Sequence, residues 1–369
     1  MRKGTIVRGP SRSVASCSHG KADPLYRVSS RAASVGEPLL APGVGLKPSA
    51  DGVLRNIVSG GPSIIRKPGA YRSNLELTNS LRSNFLAAQQ EYVDTADRAA
   101  DAVATNGHDV DGVAPPSGRP PVSGWTEHDG SALYIPRIDW AAGGLQEEPA
   151  QYETTVKLFF LPTTPVAHRA EYAQEALDLV LRELRLPRAD LLIVSFPGMS
   201  FDGDCEWEAD KMNANQGNDE DEAATWKVVE ALQSRGLVKK LGIAEFGSEK
   251  LSRFLKRVSV RPTVDQINIK NCCNVPPPLV ELAKAQDIEL LVHSDCTDIL
   301  PKGTLRELLG QGLQGAGVLA DAELDYENGV DGLHGDLVPQ WVVKYTAVVR
   351  DRGVIENKGY FAGAGLVEA

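Results

Sequence analysis

The feature that most constrains this chain is a regular alternation, from residue 154 to residue 293, of strand-sized apolar runs with helical stretches. Residues 154–160 read as a strand. The turn Pro162-Thr163-Thr164-Pro165 leads into a helix over 166–185, with Thr164 as the expected cap. Pro165 suits the first helical position, where its missing N–H would be unpaired anyway. Residues 190–196 are a near-continuous apolar run, the pattern of a parallel strand covered on both faces. Helix 223–233, strand 240–246, helix 248–258, strand 264–269, helix 279–286 and strand 288–293 follow. Strands separated by helices in this way mean βαβ units and a parallel sheet. A closed barrel and an open doubly wound sheet both fit. No Gly-x-Gly-x-x-Gly opens a helix after a strand, and no Walker-type loop is present. The dinucleotide-binding version of the open sheet therefore loses its main support.

Outside this region the pattern is less regular. Residues 74–103 read as a helix with Leu77, Leu81, Phe85 and Ala88 on one face. Residues 340–352 read as a helix closed by Gly353, followed by a short strand over 354–356. Residues 1–54, rich in Ser, Gly, Pro and Arg, are expected to be a disordered basic extension. A barrel domain over 55–369 would then carry insertions at 105–131, 202–222 and 310–335. The run Asn218-Asp219-Glu220-Asp221-Glu222 is expected in a solvated loop, because like charges in series repel and stay hydrated.

Length and charge narrow the function. The 369 residues suit two ordinary domains, or one α/β barrel of ~250 residues with additions. A net charge of −10 argues against a nucleic-acid partner, which needs clustered Lys and Arg. No apolar run approaches the ~18 residues of a membrane helix. Five cysteines, an odd number, fit a reducing compartment and a cytoplasmic protein. The basic, Ser-rich first 35 residues also resemble a mitochondrial transit peptide, although no amphipathic helical pattern accompanies them.

Three segments resemble the aldo-keto reductase family: Asp190-Leu-Leu-Ile-Val-Ser-Phe-Pro197, Leu241-Gly-Ile-Ala-Glu-Phe246 and Pro262-Thr-Val-Asp-Gln-Ile-Asn268. The resemblance implies a (β/α)8 TIM barrel, here a degenerate one. Three further segments are similar to the regulatory (modifier) subunits of glutamate–cysteine ligase: Gly60-Gly-Pro-Ser-Ile-Ile-Arg-Lys67, Asn271-Cys-Cys-Asn-Val-Pro-Pro277 and Val338-Pro-Gln-Trp-Val-Val-Lys-Tyr345. That similarity implies a non-catalytic protein that forms a heterodimer with the ligase catalytic subunit. It would improve glutamate use and relieve feedback inhibition by glutathione.

Active aldo-keto reductases use a Tyr, a Lys, an Asp and a His with NADPH. Lys157 matches the family's Lys, but Ser195 stands at the His position. A hydroxyl cannot replace an imidazole's shape or titration. Asp94-Thr95-Ala96 copies a family motif, yet the Tyr position would then be Ala99 in a helical pattern, so Asp94 reads as a solvated helix residue. Gln266 matches the residue that holds the nicotinamide carboxamide, Lys358 falls where a phosphate-binding Lys would, and the Ser-Asn pair is replaced by Ala244-Glu245. His293 replaces the stacking aromatic. The expectation is a chain with no catalytic residue, cofactor or metal. Lys157 and Ser195 would be remnants of a reductase site, and Gln266 and Lys358 of a cofactor site. An atypical NADPH-dependent reductase is the alternative. Cys272 and Cys273, after a strand and before three prolines, are candidates for a redox-sensitive or intersubunit contact; the plainer reading is two small residues filling a loop. Together with His293 and Cys296 their spacing matches no zinc signature.

Overall fold

The structure, a computed structural model, describes residues 54–59, 73–104, 119–269, 274–320 and 332–367. Cys272 and Cys273, residues 105–118 and 321–331 of the expected insertions and nearly all of the 1–54 extension lie outside them.

The chain enters through β1 (Leu54–Ser59) and the 32-residue helix α1 (Ser73–Ala104). A short helix α2 (Val122–Trp125) and the strands β2 (Glu127–Asp129) and β3 (Ala132–Ile135) follow. The described end of the expected polar linker is thus structured. Trp125 is 1% exposed, its ring 6.1 Å from Phe85, because one large aromatic repays burial even in a polar stretch.

The regular part then unrolls as β4 (Tyr152–Phe160), α3 (Arg169–Leu184), β5 (Ala189–Ser195), α4 (Glu206–Asn213) and α5 (Asp219–Ser234). It continues through β6 (Val238–Ala244), α6 (Ser248–Leu255), β7 (Val264–Asn268), α7 (Pro277–Gln286) and β8 (Glu289–His293). β4 to β8 pair in parallel in sequence order, as the alternation requires. Thr164 does not cap α3: its hydroxyl donates to the Gln340 carbonyl, and a 3-10 turn, Val166–His168, starts the helix instead.

The acidic stretch 202–222 is not a solvated loop. It forms α4 and the start of α5, where the Asn218 side chain accepts the N–H groups of Glu220 and Asp221, each at 3.0 Å. Carboxylates at a helix start are favoured by the helix dipole. Lys250 and Arg253 of α6 pair with Asp219, so the charges are neutralised across two helices rather than hydrated.

After α8 (Thr304–Leu309) the chain departs from expectation. The expected helix 340–352 is a 14-residue strand, β9 (Asp336–Val349), in a hairpin with β10 (Val354–Val367). Trp341, Val343 and Tyr345 face one core while Val342, between them, faces the other. That is the two-residue period of a strand buried on both sides, which β-branched and aromatic side chains favour. Gly353, read as a helix stop, closes the hairpin turn at φ 62°, its N–H donating to the Val349 carbonyl at 2.7 Å.

The sheet runs β2-β3-β1-β10-β9-β4-β5-β6-β7-β8. The parallel α/β half is TIM-barrel-like, but a ring of eight parallel strands is not present among the described residues. The antiparallel hairpin lies beside β4 instead. The sheet is nevertheless strongly curled. Laid flat, β4 and β8 would be about 19 Å apart, four spacings of ~4.8 Å. Yet Lys157 Nζ on β4 lies 3.5 Å from His293 Nδ1 on β8. On the convex side α3, α5, α6 and α7 bury the main core, including Trp226 and Phe254. On the other face α1 inserts Leu77, Leu81 and Phe85, one per helical turn, against Phe159, Val342 and Tyr360.

No helix among the described residues is long and apolar enough to cross a membrane.

Candidate functional site

The C-terminal ends of the parallel strands are where a barrel-like fold places its chemistry. There the curled face gathers charges that lie far apart in the chain. Lys157 Nζ is 2.9 Å from Asp295 Oδ2, and Lys344 Nζ on β9 is 2.9 Å from Asp295 Oδ1. His293 Nδ1 accepts the Asp295 backbone N–H at 3.0 Å. His293 Nε2 approaches Glu245 Oε1 at 2.6 Å, off the line a directed hydrogen bond needs. The side chains of Lys157, Glu245, His293 and Asp295 are each less than 10% exposed.

Local backbone sets these positions. Lys157 shares the inward face of β4 with Phe159, since side chains alternate along a strand. Glu245, the residue after β6, lies in the left-handed region, φ 65°, an uncommon state for a residue with a Cβ. Its N–H donates to the Gln266 carbonyl at 3.0 Å and its carbonyl accepts Asn213 Nδ2 at 2.7 Å. Asn268 Nδ2 donates to the Asp295 carbonyl at 2.9 Å, fixing the loop after β8.

The electrostatics follow. Burial alone would raise the Asp295 carboxyl, but the Lys157 and Lys344 ammonium groups outweigh it and hold it well below the usual carboxylate range. Burial pulls Lys157 below the ordinary lysine value, opposed by Asp295 and Glu245. Tyr360, a phenol facing the α1 side of the sheet, is pushed far above its usual range by burial and by the carboxylates of Glu76 and Asp295. A phenol shifted upward is a poor proton donor at neutral pH, the reverse of what carbonyl reduction requires.

The residues singled out from sequence divide as follows. Lys157 lies in this cluster, as do Glu245 and His293. Ser195 ends β5, half-buried, in register with Phe159. Gln266 faces inward on β7, and its side-chain oxygen is buried without a hydrogen-bond partner among the described residues. Lys358 is paired with Glu76 of α1. Asp94 is exposed on α1 and accepts Gln90 Nε2 at 2.8 Å. Asp295 and Lys344 escaped the sequence. Asp295 sits two residues past a legible strand, a position that could have flagged it. Lys344 was hidden by the mistaken helix.

A nicotinamide cofactor does not fit these residues well. The Gln266 amide oxygen is free to meet a donor, but the next strand end presents the Glu245 carboxylate, already against His293. Among the described residues no group of three or more His, Cys, Asp or Glu could hold a metal ion.

Residues 140–308 match the family model described as the aldo/keto reductase family. The chain is 24% identical over 218 residues to the glutamate–cysteine ligase regulatory subunit of Mus musculus, covering 59% of this chain and 68% of that protein. It is 29% identical over 239 residues to the putative glutamate–cysteine ligase regulatory subunit of Schizosaccharomyces pombe, covering 61% and 74%. Among solved structures, an aldo-keto reductase of Bombyx mori in complex with NADP is 23% identical, with a TM-score of 0.26, and the match covers 34% of this chain and 38% of that one.

Proposed function

We propose that this protein, whose residues 140–308 match the aldo/keto reductase family model and which is similar to glutamate–cysteine ligase regulatory subunits, is the non-catalytic modifier of a glutamate–cysteine ligase. It binds the catalytic subunit as a heterodimer, improves its use of glutamate and relieves inhibition by glutathione. Energetically this is differential binding: the modifier favours the partner conformation that holds glutamate well and glutathione poorly. ATP and Mg²⁺ chemistry stays with the partner, and this chain needs no cofactor of its own. The two subunits meet in the cytoplasm.

The observation that carries the reading is the state of the Lys157 cluster. Lys157 and Asp295 form a buried ion pair, Ser195 matches the position where active members of the family carry an imidazole, and burial makes the Tyr360 phenol a weaker acid than an ordinary tyrosine. The pair has become a structural tie across the curled sheet.

The test is co-purification with the host's ligase catalytic subunit, followed by ligase assays across glutathione concentrations. A complex whose inhibition by glutathione is weaker than that of the catalytic subunit alone is the expected result. Absence of a complex, with tight NADPH binding and reduction of a carbonyl, would overturn it.

A further inference from the structure

The two ends of the curled parallel sheet differ. The C-terminal end holds the Lys157 cluster, and the N-terminal end holds a cavity of about 340 Å³. Every parallel strand contributes an inward side chain from near its start: Thr155 on β4, Leu191 on β5, Lys240 on β6, Val264 on β7 and Leu291 on β8. Leu191, Val264 and Leu291 form an apolar floor continuous with buried Ile193 and Ala244. That layer closes the cavity toward the Lys157 cluster. A Cβ on Gly242 would lie 3.1 Å from Val264 Cβ and 3.2 Å from Ile193 Cγ1, so side chains already meet there. A closed barrel fills its interior with layers of side chains. Here the space stays open, because the two long side chains at this level, Lys240 and Glu289 of β8, are exposed and carry their charges to water.

The charges around the mouth balance: Lys239, Lys240 and Arg350 stand against Glu153, Asp190 and Glu289. Most are already matched. Asp190 is paired with Lys239 and lies 3.4 Å from Arg350 Nη2, and Arg350 Nη1 lies 3.9 Å from Glu153 Oε2. These groups form one chain and leave over a single cation and a single carboxylate. Lys240 and Glu289 have no ion-pair partner among the described residues. They project from the strands on either side of β7. Glu289 shares the register of Val264 and Gly242, and Lys240 enters two residues before Gly242. Two strand spacings of ~4.8 Å separate their backbones across the apolar floor. A purely anionic ligand would meet Glu289 and Glu153, and a purely cationic one would meet Lys240. A zwitterion satisfies both open charges at once.

We propose that this cavity binds a free α-amino acid with an apolar side chain. The ligand's carboxylate meets the Lys240 ammonium, its ammonium meets the Glu289 carboxylate, and its side chain lies on Leu191, Val264 and Leu291. At about 340 Å³ the cavity falls within the ~300–1,000 Å³ of small-molecule sites, whose usual make-up is an apolar lining with a few polar groups. Charge-assisted hydrogen bonds at both ends fix the ligand's orientation. None of the lining residues belongs to the Lys157 cluster, so the site is separate from the remnants of reductase chemistry. The proposal stands on the cavity and its charges, and not on the modifier reading.

The experiment is saturation-transfer NMR on the full-length chain with L-leucine and L-phenylalanine as probes. Two analogues accompany them: the keto acid of leucine, which lacks the ammonium, and the amine left when leucine loses its carboxyl group. Both amino acids are expected to bind. Each analogue should bind at least about tenfold more weakly than L-leucine, because it forfeits one charge-assisted hydrogen bond. Lys240→Met and Glu289→Gln should each weaken L-leucine by at least about tenfold for the same reason. Both side chains are exposed, so the melting temperature should be unchanged. Lys227→Met, which removes an exposed lysine on α5, should bind as wild type. Absence of saturation transfer from both amino acids overturns the proposal. So does L-leucine binding that neither variant weakens, and so does equal binding of L-leucine and either analogue. Each result is read without the ligase, so any of them leaves the modifier reading standing.

Discussion

Lys157 and Asp295 form a 2.9 Å ion pair across 138 residues of sequence, with both side chains buried. Asp295 also holds Lys344 of the β9–β10 hairpin at 2.9 Å. One carboxylate thus ties the first parallel strand, the loop after the last one and the antiparallel extension together.

Replacing Asp295 by Ala leaves the buried Lys157 ammonium unpaired beside that of Lys344, which is 26% exposed. Breaking a buried pair in this way costs about 3–5 kcal/mol. Urea denaturation should show that loss, with a lowered midpoint and an unchanged slope. A cost under ~1 kcal/mol would mean the cluster is hydrated in solution.

The same carboxyl sets an acid limb of stability. Its folded-state value is depressed, so its contribution is fully present above the unfolded value near ~3.9 and is lost as pH falls below that toward the folded value. The wild-type melting temperature should therefore drop steeply below about pH 4. Asp295→Asn should flatten that limb.

Asp265 behaves oppositely. It is 0% exposed, one oxygen accepts the Phe246 N–H at 3.4 Å, and the other has no hydrogen-bond partner among the described residues. Burial raises its carboxyl well above the usual value. A raised acid contributes most below its unfolded value and progressively less as pH rises toward its folded one. Asp265→Asn should remove that decline and leave stability at pH 8 higher than that of the wild type, read from chemical denaturation at pH 5 and pH 8.

Lys250, 1% exposed, reaches Asp219 at 2.8 Å and Glu222 at 2.9 Å at the start of α5. Lys250→Met strands a buried carboxylate and should cost roughly 3 kcal/mol. Asn218→Ala, which removes only the cap, should cost about 1 kcal/mol. Equal effects in thermal melts would contradict the ion-pair account.

Gly363 lies in register with Trp341 in the hairpin. A Cβ at Gly363 would lie 2.3 Å from the indole ring of Trp341, which is itself fully buried. Gly363→Ala should therefore cost about 1–3 kcal/mol through overpacking.

The alternation of residues 154–293, the parallel pairing of β4 to β8 and the apolar face of α1 were legible because they depend on local periodicity. Burial of a strand on both faces or of a helix on one is written into neighbouring residues. Lys157 was legible from a motif and its strand. The β9–β10 hairpin was not, because Gln340, Lys344 and Gly353 imitate the polar positions and stop signal of a helix. Only the two cores on either side of the sheet reveal its period of two. The acidic start of α5 was misread for a similar reason. Like charges look repulsive in sequence until Lys250 and Arg253 arrive from another helix. The sequence by itself therefore determined the strands β4 to β8 and the helices α3, α6 and α7 between them. The curl of the sheet and the Lys157–Asp295–Lys344 tie were decided by tertiary structure, since each depends on groups from distant segments of the chain meeting across the sheet.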